Sequence, residues 1–412
     1  MLLAQDRIST AHRLVILALI GSMSGCASKQ PAQLTHTSLL PDASDERAMW
    51  DEAATFDHRL QESGGLYENP ALDDYLTKVA NKVLTHLGTE GEGVRVRVGF
   101  NPLLNAFALP NGSVYIHSGL LVALNDEAEL AYLLGHELAH YVHRHAIASD
   151  RNERGRTRVA AVGVGLFAFA AAVVTQSPDV FYSLADLGGA AIDPILDRQT
   201  SGYSRDQERD ADLYGLRAIA LAGYDPEAAI RLFETLRQED DEGSVEDPYV
   251  LASHPHLEER TANAREFLAQ WETPFGAEPQ VGRPEFEAAI APLLLPNVDL
   301  DLHFERFERA EQGARRYVAI RPKDGAGYLK LARILQSRPD AAEHQNEILA
   351  WLESAATASP DSSEVQRALG MMLRRLGRPG EAAVVFDRLL QIDPDAVDRA
   401  IIDSYIEEAR QR

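Results

Sequence analysis

The sequence predicts a mainly α fold of the α+β class: a helical domain built around a small β-sheet, followed by a domain of repeated helices. Three observations carry this reading. Apolar residues recur at threes and fours through Asp73–Leu87, through a segment ending near His145, and from about Arg205 to near Arg237, which is amphipathic-helix spacing. Between the first two lie short alternating or apolar stretches punctuated by a turn, the signature of strands and a hairpin. After about residue 300, proline-containing turns return at near-regular intervals between apolar helices. A chain of 412 residues can bury at least one sizeable core and accommodates two or three domains.

Residues 1–25 read as a targeting peptide. Arg7 and Arg13 give a positive start, Leu14 to Ile20 a short apolar run, and Ser22, Ser24 and Gly25 lead to Cys26. The run is too short to span a bilayer. Met23-Ser24-Gly25-Cys26 resembles a bacterial lipobox with Met23 where Leu is commoner, so Cys26 is the expected lipidation site; an ordinary secretory peptide is the alternative. Cys26 is the single cysteine, which excludes an intramolecular disulfide. Ala27, where Asp would retain a lipoprotein at the inner membrane, points to the outer membrane, on its periplasmic side. Residues 26–45, broken by Pro31 and Pro41, form a tether. The net charge of −23 argues against nucleic acid as a partner and makes attachment to anionic lipid depend on the anchor.

Residues 46–271 have the pattern of one compact domain. Val94, Val96 and Val98 alternate with Arg95, Arg97 and Gly99 as a half-buried strand. Asn105–Leu109, the turn Pro110-Asn111-Gly112 and Val114–Ile116 form a hairpin. The next helix is capped by Asn125 or Asp126 and continues to about His145. Val159–Val174 carries no charge and is read as a buried helix or a lid, with a membrane-inserted segment as the alternative. Residues 238–247 form an acidic loop, and the proline-rich stretch 272–300 an interdomain linker. In residues 301–412, Pro322, Pro360 and Pro394 are separated by 38 and 34 residues, close to the tetratricopeptide period. The clearest unit is Ser362–Pro394, with Leu369-Gly370, Leu373, Ala382-Ala383 and Phe386 near the small and large positions.

The chemistry lies in two helical segments. His136-Glu137-Leu138-Ala139-His140 matches H-E-x-x-H, which puts both imidazoles on one helix face, suited to one Zn²⁺. Glu137, turned away from the ligand pair, is placed as general base, taking a proton from the attacking water and delivering it to a leaving amine. A catalytic zinc needs a third protein ligand. Glu208 and Asp212 lie i and i+4 on a later helix: Glu208 can ligate, and Asp212 can accept the proton from the far nitrogen of a ligating histidine. By spacing alone the same acidic run also fits a solvated helix face. His143 and His145 read as surface residues at the helix end, and His117 and His256 carry no comparable signal.

The segments GHELAH (135–140) and SRDQERDAD (204–212), with NAFALPNGSVYIHSGLL (105–121) ahead of them and SHPHLEER (253–260) after, resemble the zinc metallopeptidase family that includes HtpX and the CAAX prenyl protease, and most of all its periplasmic BepA- and LoiP-type members. The resemblance covers about residues 46–271. It implies a zincin-type domain with one zinc held by His136, His140 and Glu208, Glu137 as base and Asp212 behind the ligands. It implies that Asn105, Ala106, Phe107, Ala108 and Leu109 pair with substrate as an added strand. It also implies that His254 either stabilises the oxyanion or occupies the open zinc position as a latch, with Arg260 as the basic residue of that motif. The membrane spans of the HtpX and CAAX branches have no counterpart, which argues against prenylated substrates. The function implied is a zinc metalloendopeptidase of the envelope acting on misfolded or stalled proteins, its tetratricopeptide-like repeats facing clients or the outer-membrane β-barrel assembly machinery. A non-proteolytic scaffold is the rival, and an intact Glu137 speaks against it.

Overall fold

The computed structural model describes residues 44–88, 94–153, 203–241, 256–271 and 279–411. The signal peptide with Cys26, the tether to residue 43, the segment 159–174 and His254 lie outside the described residues. Helix α1 (Ser44–Glu62) begins slightly inside the expected tether and is fastened by charge: Asp45 pairs with Arg151 at 2.8 Å, and buried Glu46 pairs with buried Arg144. Asn69 caps α2 (Pro70–Leu84), and Leu72, Leu76, Val79 and Val83 on one face enter the core.

Three strands, β1 (Arg95–Gly99), β2 (Ala106–Ala108) and β3 (Ser113–His117), form a sheet of order β1-β3-β2. β1 runs parallel to β3, with Val96 opposite Val114 and Val98 opposite Ile116. β2 pairs antiparallel with β3, giving the expected hairpin and leaving β2 at the sheet edge. Asp57 of α1 ties the hairpin down, accepting from Tyr115 Oη at 2.6 Å, Ser113 Oγ at 2.7 Å and Asn111 Nδ2 at 3.0 Å.

Behind the sheet, α3 (Ser118–Ala123) leads into α4 (Glu127–Val142), which is buried along nearly its whole length. Then follow α5 (His145–Glu153), α6 (Arg205–Leu221), α7 (Ala228–Asp241) and α8 (Leu257–Gln270). The start of the expected acidic loop is therefore helical as far as Asp241.

The expected linker at 272–300 is corrected by the structure. Residues 283–303 form α9 (Arg283–His303), whose Phe286, Ile290, Leu293 and Leu294 belong to the same core as α2 and α4. Two prolines inside it, Pro292 and Pro296, would ordinarily interrupt a helix. Pro296 cannot supply the N–H that Pro292 O would accept, and Tyr67 Oη donates to that carbonyl instead at 2.9 Å. Beyond it, α10 (Phe307–Ile320), α11 (Gly325–Ser337), α12 (Gln345–Ala358), α13 (Ser363–Arg375), α14 (Pro379–Ile392) and α15 (Arg399–Gln411) pack as successive neighbours, with the three expected proline turns between helices. Gly370 on α13 lies so close to the Phe386 ring on α14 that a Cβ there would sit 2.4 Å from it. The array docks on the first domain through Tyr317 and Ile320 of α10, which join the same core, and through hydrogen bonds from buried Arg306 to Pro102 O at 2.6 Å and from Arg316 to Val122 O and Leu124 O at 2.8 and 2.7 Å.

His117 is enclosed at the end of β3, and burial pushes its imidazole down to about 4, the Leu103 backbone opposing only in part. Because an unfolded histidine titrates near ~6.5, the unfolded chain takes up the proton first. This stabilisation is complete above about pH 6.5 and is lost as pH falls toward 4. Urea unfolding between about pH 7 and pH 5 should therefore show wild type losing about 2 kcal/mol more than His117→Gln; parallel pH profiles would contradict this.

Candidate metal centre

Two helices build the site. Asp126, of the two expected caps, starts α4 by accepting from Glu129 N at 3.0 Å, while Asn125 N donates to the Glu129 carboxylate at 2.8 Å. Ser204 starts α6 with a capping box completed by Gln207. The helices cross at glycines: a Cβ on Gly215 would lie 2.9 Å from His136 N, and one on Gly135 3.2 Å from Gly215 Cα. That approach brings Glu208 of α6 to the histidine face of α4.

His136 Nε2 lies 3.1 Å from His140 Nε2, and the Glu208 oxygens lie 3.6 Å from the first and 3.4 Å from the second. Donors at 2.0–2.2 Å from a tetrahedral zinc are separated by roughly 3.3–3.5 Å. The three donors therefore suit one such ion, and all three residues are buried. Burial holds His140 well below the usual histidine range against the opposing pull of Glu208, which keeps the imidazole neutral.

Behind these donors sits a second set of contacts. His136 Nδ1 lies 3.0 Å from Asp212 Oδ1. Arg260 grips the same carboxylate with Nε at 2.9 Å and a terminal nitrogen at 2.6 Å, and reaches Glu208 at 3.3 Å. The 3.3 Å approach of Arg260 to His136 Nδ1 joins two donors, so the Nδ1 proton goes to Asp212 and Nε2 keeps its lone pair. Burial alone would raise the Asp212 carboxyl, but Arg260 and the His136 hydrogen bond hold it well below the carboxylate range. Tyr132 Oη also donates to Asp212 Oδ1, at 2.9 Å.

Comparison with known proteins agrees with this geometry, since residues 70–268 match the family model described as Peptidase family M48. This region is an M48 peptidase domain. The chain is 28% identical over 213 residues to the beta-barrel assembly-enhancing protease of Escherichia coli (strain K12), covering 50% of this chain and 41% of that protein. It is 30% identical over 197 residues to the mitochondrial metalloendopeptidase OMA1 of Schizosaccharomyces pombe, covering 48% and 53%. It is 28% identical over 194 residues to the metalloprotease YcaL of Escherichia coli, covering 47% and 69%. The chain spans about half the length of the first curated relatives it matches.

Within the M48 domain the structure brings together His136, Glu137, His140, Glu208, Asp212 and Arg260, and sets β2 beside them; Asn105 and Ala106 share a pocket with His136 and Glu137. His143 and His145 correct the sequence reading: they are 8% and 4% exposed, not surface residues. α4 stops at Val142, Arg144 takes a left-handed φ of 56°, and α5 turns back so that His145 Nδ1 lies 2.9 Å from His140 Nδ1. With a metal ion on His140 Nε2, its Nδ1 would carry the proton and donate to His145, which would then keep its own proton on Nε2. His143, His145 and Asp210 also bring donor atoms within 4.8 Å of one another, but with a metal ion on His140 that tautomer would leave His145 no lone pair to offer. Tyr203, stacked on His140 at 3.8 Å, and Tyr132 were missed from the sequence. Tyr132 had a signal, lying four residues before His136 on the same helix face.

Two predictions follow from this packing. Gly215→Ala must part α4 and α6 by a few tenths of an ångström; it should cost about 1–3 kcal/mol in unfolding experiments and weaken zinc binding in competition with a chelator. Arg260→Met leaves buried Asp212 without its cation and should cost about 3–5 kcal/mol, with Arg260→Lys intermediate. A neutral Arg260→Met would mean that the buried carboxylates do not depend on this residue.

Proposed function

We propose that the chain is a zinc-dependent metalloendopeptidase of the bacterial envelope, with one zinc per chain, that hydrolyses misfolded or stalled periplasmic and outer-membrane proteins. The observation that carries the reading is the trio of donors from His136, His140 and Glu208, spaced for one ion next to Glu137. Bound zinc supplies Lewis acidity toward water and the peptide carbonyl. Glu137 takes the proton of the attacking water and returns it to the leaving amine. Asp212 and Arg260 hold the His136 ring and the Glu208 carboxylate in register. In the antiparallel pairing, His117 N donates to Asn105 O and Leu109 N to Ser113 O, so the backbone groups of Ala106 and Ala108 point away from β3, where an added substrate strand would meet them. Such pairing reads main chain, which suits unfolded clients.

Glu137 is 2% exposed and Asn105–Leu109 are all buried, which supports a latent resting state that opens for substrate. His254 serves in this reading as the latch, or as the donor to the oxyanion. Cys26, lipidated, would tether the domain to the outer membrane. The helical array, read as tetratricopeptide-like, would face clients or the β-barrel assembly machinery, a partner suggested by the names of the relatives.

Zinc content and casein cleavage of residues 27–412 test the proposal. About one zinc per chain is expected, with cleavage abolished by Glu137→Gln while zinc is retained. His254→Ala should raise activity if it is a latch and lower it if it serves the oxyanion. Zinc without cleavage by wild type or by the His254 variant would transfer the function to a non-proteolytic scaffold.

A further inference from the structure

Where the helical array meets the peptidase domain, the loop before β2, α3, α9 and α10 enclose a cavity of about 200 Å³. A water takes up about 30 Å³ of liquid, so the space exceeds what one or two bridging waters fill. It shares no wall residue with the pocket that contains His136 and Glu137. Leu104, Val122 and Leu294 give it an apolar side. Arg309 and Arg316, seven residues apart on one face of α10, bring positive charge, and Asn297 and Gln312 bring amides. Gln312 is exposed and marks the mouth, whereas Asn297 is 2% exposed.

Two of these polar groups lack the partner their burial calls for. Asn297 Nδ2 donates to Asp301 Oδ2 at 2.9 Å, which fixes the amide, since the opposite orientation would set two acceptors together. Asn297 Oδ1 is then a buried acceptor with no hydrogen-bond partner among the described residues. Asp301 itself is answered by Arg306 at 2.7 Å. Arg316, half-buried, donates through one terminal nitrogen to the carbonyls of Val122 and Leu124, both neutral. Glu287, Asp126 and Glu129 act on it only from a distance, and the last two are paired with Arg231. Among the described residues no carboxylate forms an ion pair with the Arg316 guanidinium, and a desolvated cation in that position favours an anion beside it.

We infer that this cavity binds an apolar N-acylated α-amino carboxylate. The carboxylate is met by Arg316 with Arg309 adding positive charge, the amide N–H by Asn297 Oδ1, and the apolar side chain by Leu104, Val122 and Leu294. The C-terminal residue of a polypeptide and a free N-acylated amino acid share this chemistry. Because α10 and the peptidase domain both furnish walls, the occupant bridges the two and holds them together. The site is separate from the metal centre and requires no cleavage.

The test is calorimetric titration of the zinc-loaded full chain carrying Glu137→Gln, so that peptides stay uncut. The probes are N-acetyl-leucine, N-acetyl-leucinamide, and a short peptide ending in leucine as free acid and as amide. We expect a free acid to bind and raise the thermal unfolding midpoint, and its amide to bind about tenfold or more weakly for want of the charged contact to arginine. Tight binding of the peptide acid identifies a polypeptide C-terminus, and binding of N-acetyl-leucine alone identifies a small molecule. Gln312→Trp, at the exposed mouth, should block binding while zinc content and unfolding stay as in the parent chain. Arg316→Gln, checked for folding in the same way, should weaken binding about tenfold. No binding of either acid, equal binding of acid and amide, or binding undiminished by Gln312→Trp overturns the inference; the last result would put the carboxylate elsewhere, on the zinc for example.

Discussion

The close crossing of α4 and α6 is the constraint on which the site depends. A metal centre assembled from two helices separated by more than sixty residues needs their backbones within a narrow range of distances, and Gly135 against Gly215 sets it. With a side chain at either position, Glu208 would stand back from His136 and His140. The crossing also brings Asp212 and Tyr132 into contact, so the same approach that gathers the donors gathers their support.

Placing carboxylates and imidazoles in a dry interior is expensive unless each is answered. Asp212 is answered by Arg260, Tyr132 and His136 together, and Glu208 by Arg260 and the histidine pair. The two donor histidines are supported differently. His136 leans on an anion, which strengthens its electron donation, whereas His140 leans on the neutral imidazole of His145. α8, which carries Arg260, thus belongs to the site although it contributes no ligand.

Much of this was readable beforehand because it rests on short periodicities. Helical spacing put His136 with His140, and Glu208 with Asp212; alternation and a Pro-Asn-Gly turn marked the hairpin. What could not be read depended on contacts distant in sequence. Nothing in His143-Arg144-His145 announces a left-handed residue, since no Gly or Asn stands there, so the return of His145 to His140 was hidden. The prolines of residues 272–300 suggested a linker because only Tyr67, more than two hundred residues earlier, shows that the freed carbonyl has a donor. The pairing of Arg260 with both acidic residues likewise needs the fold.

The central claim is that His136, His140 and Glu208 hold one zinc. Anomalous diffraction at the zinc edge from crystals of the metal-loaded protein tests it most directly. The account predicts a single strong peak bonded to both Nε2 atoms and a Glu208 oxygen. A peak among His143, His145 and Asp210 instead, or no peak from protein shown to be folded, would contradict it.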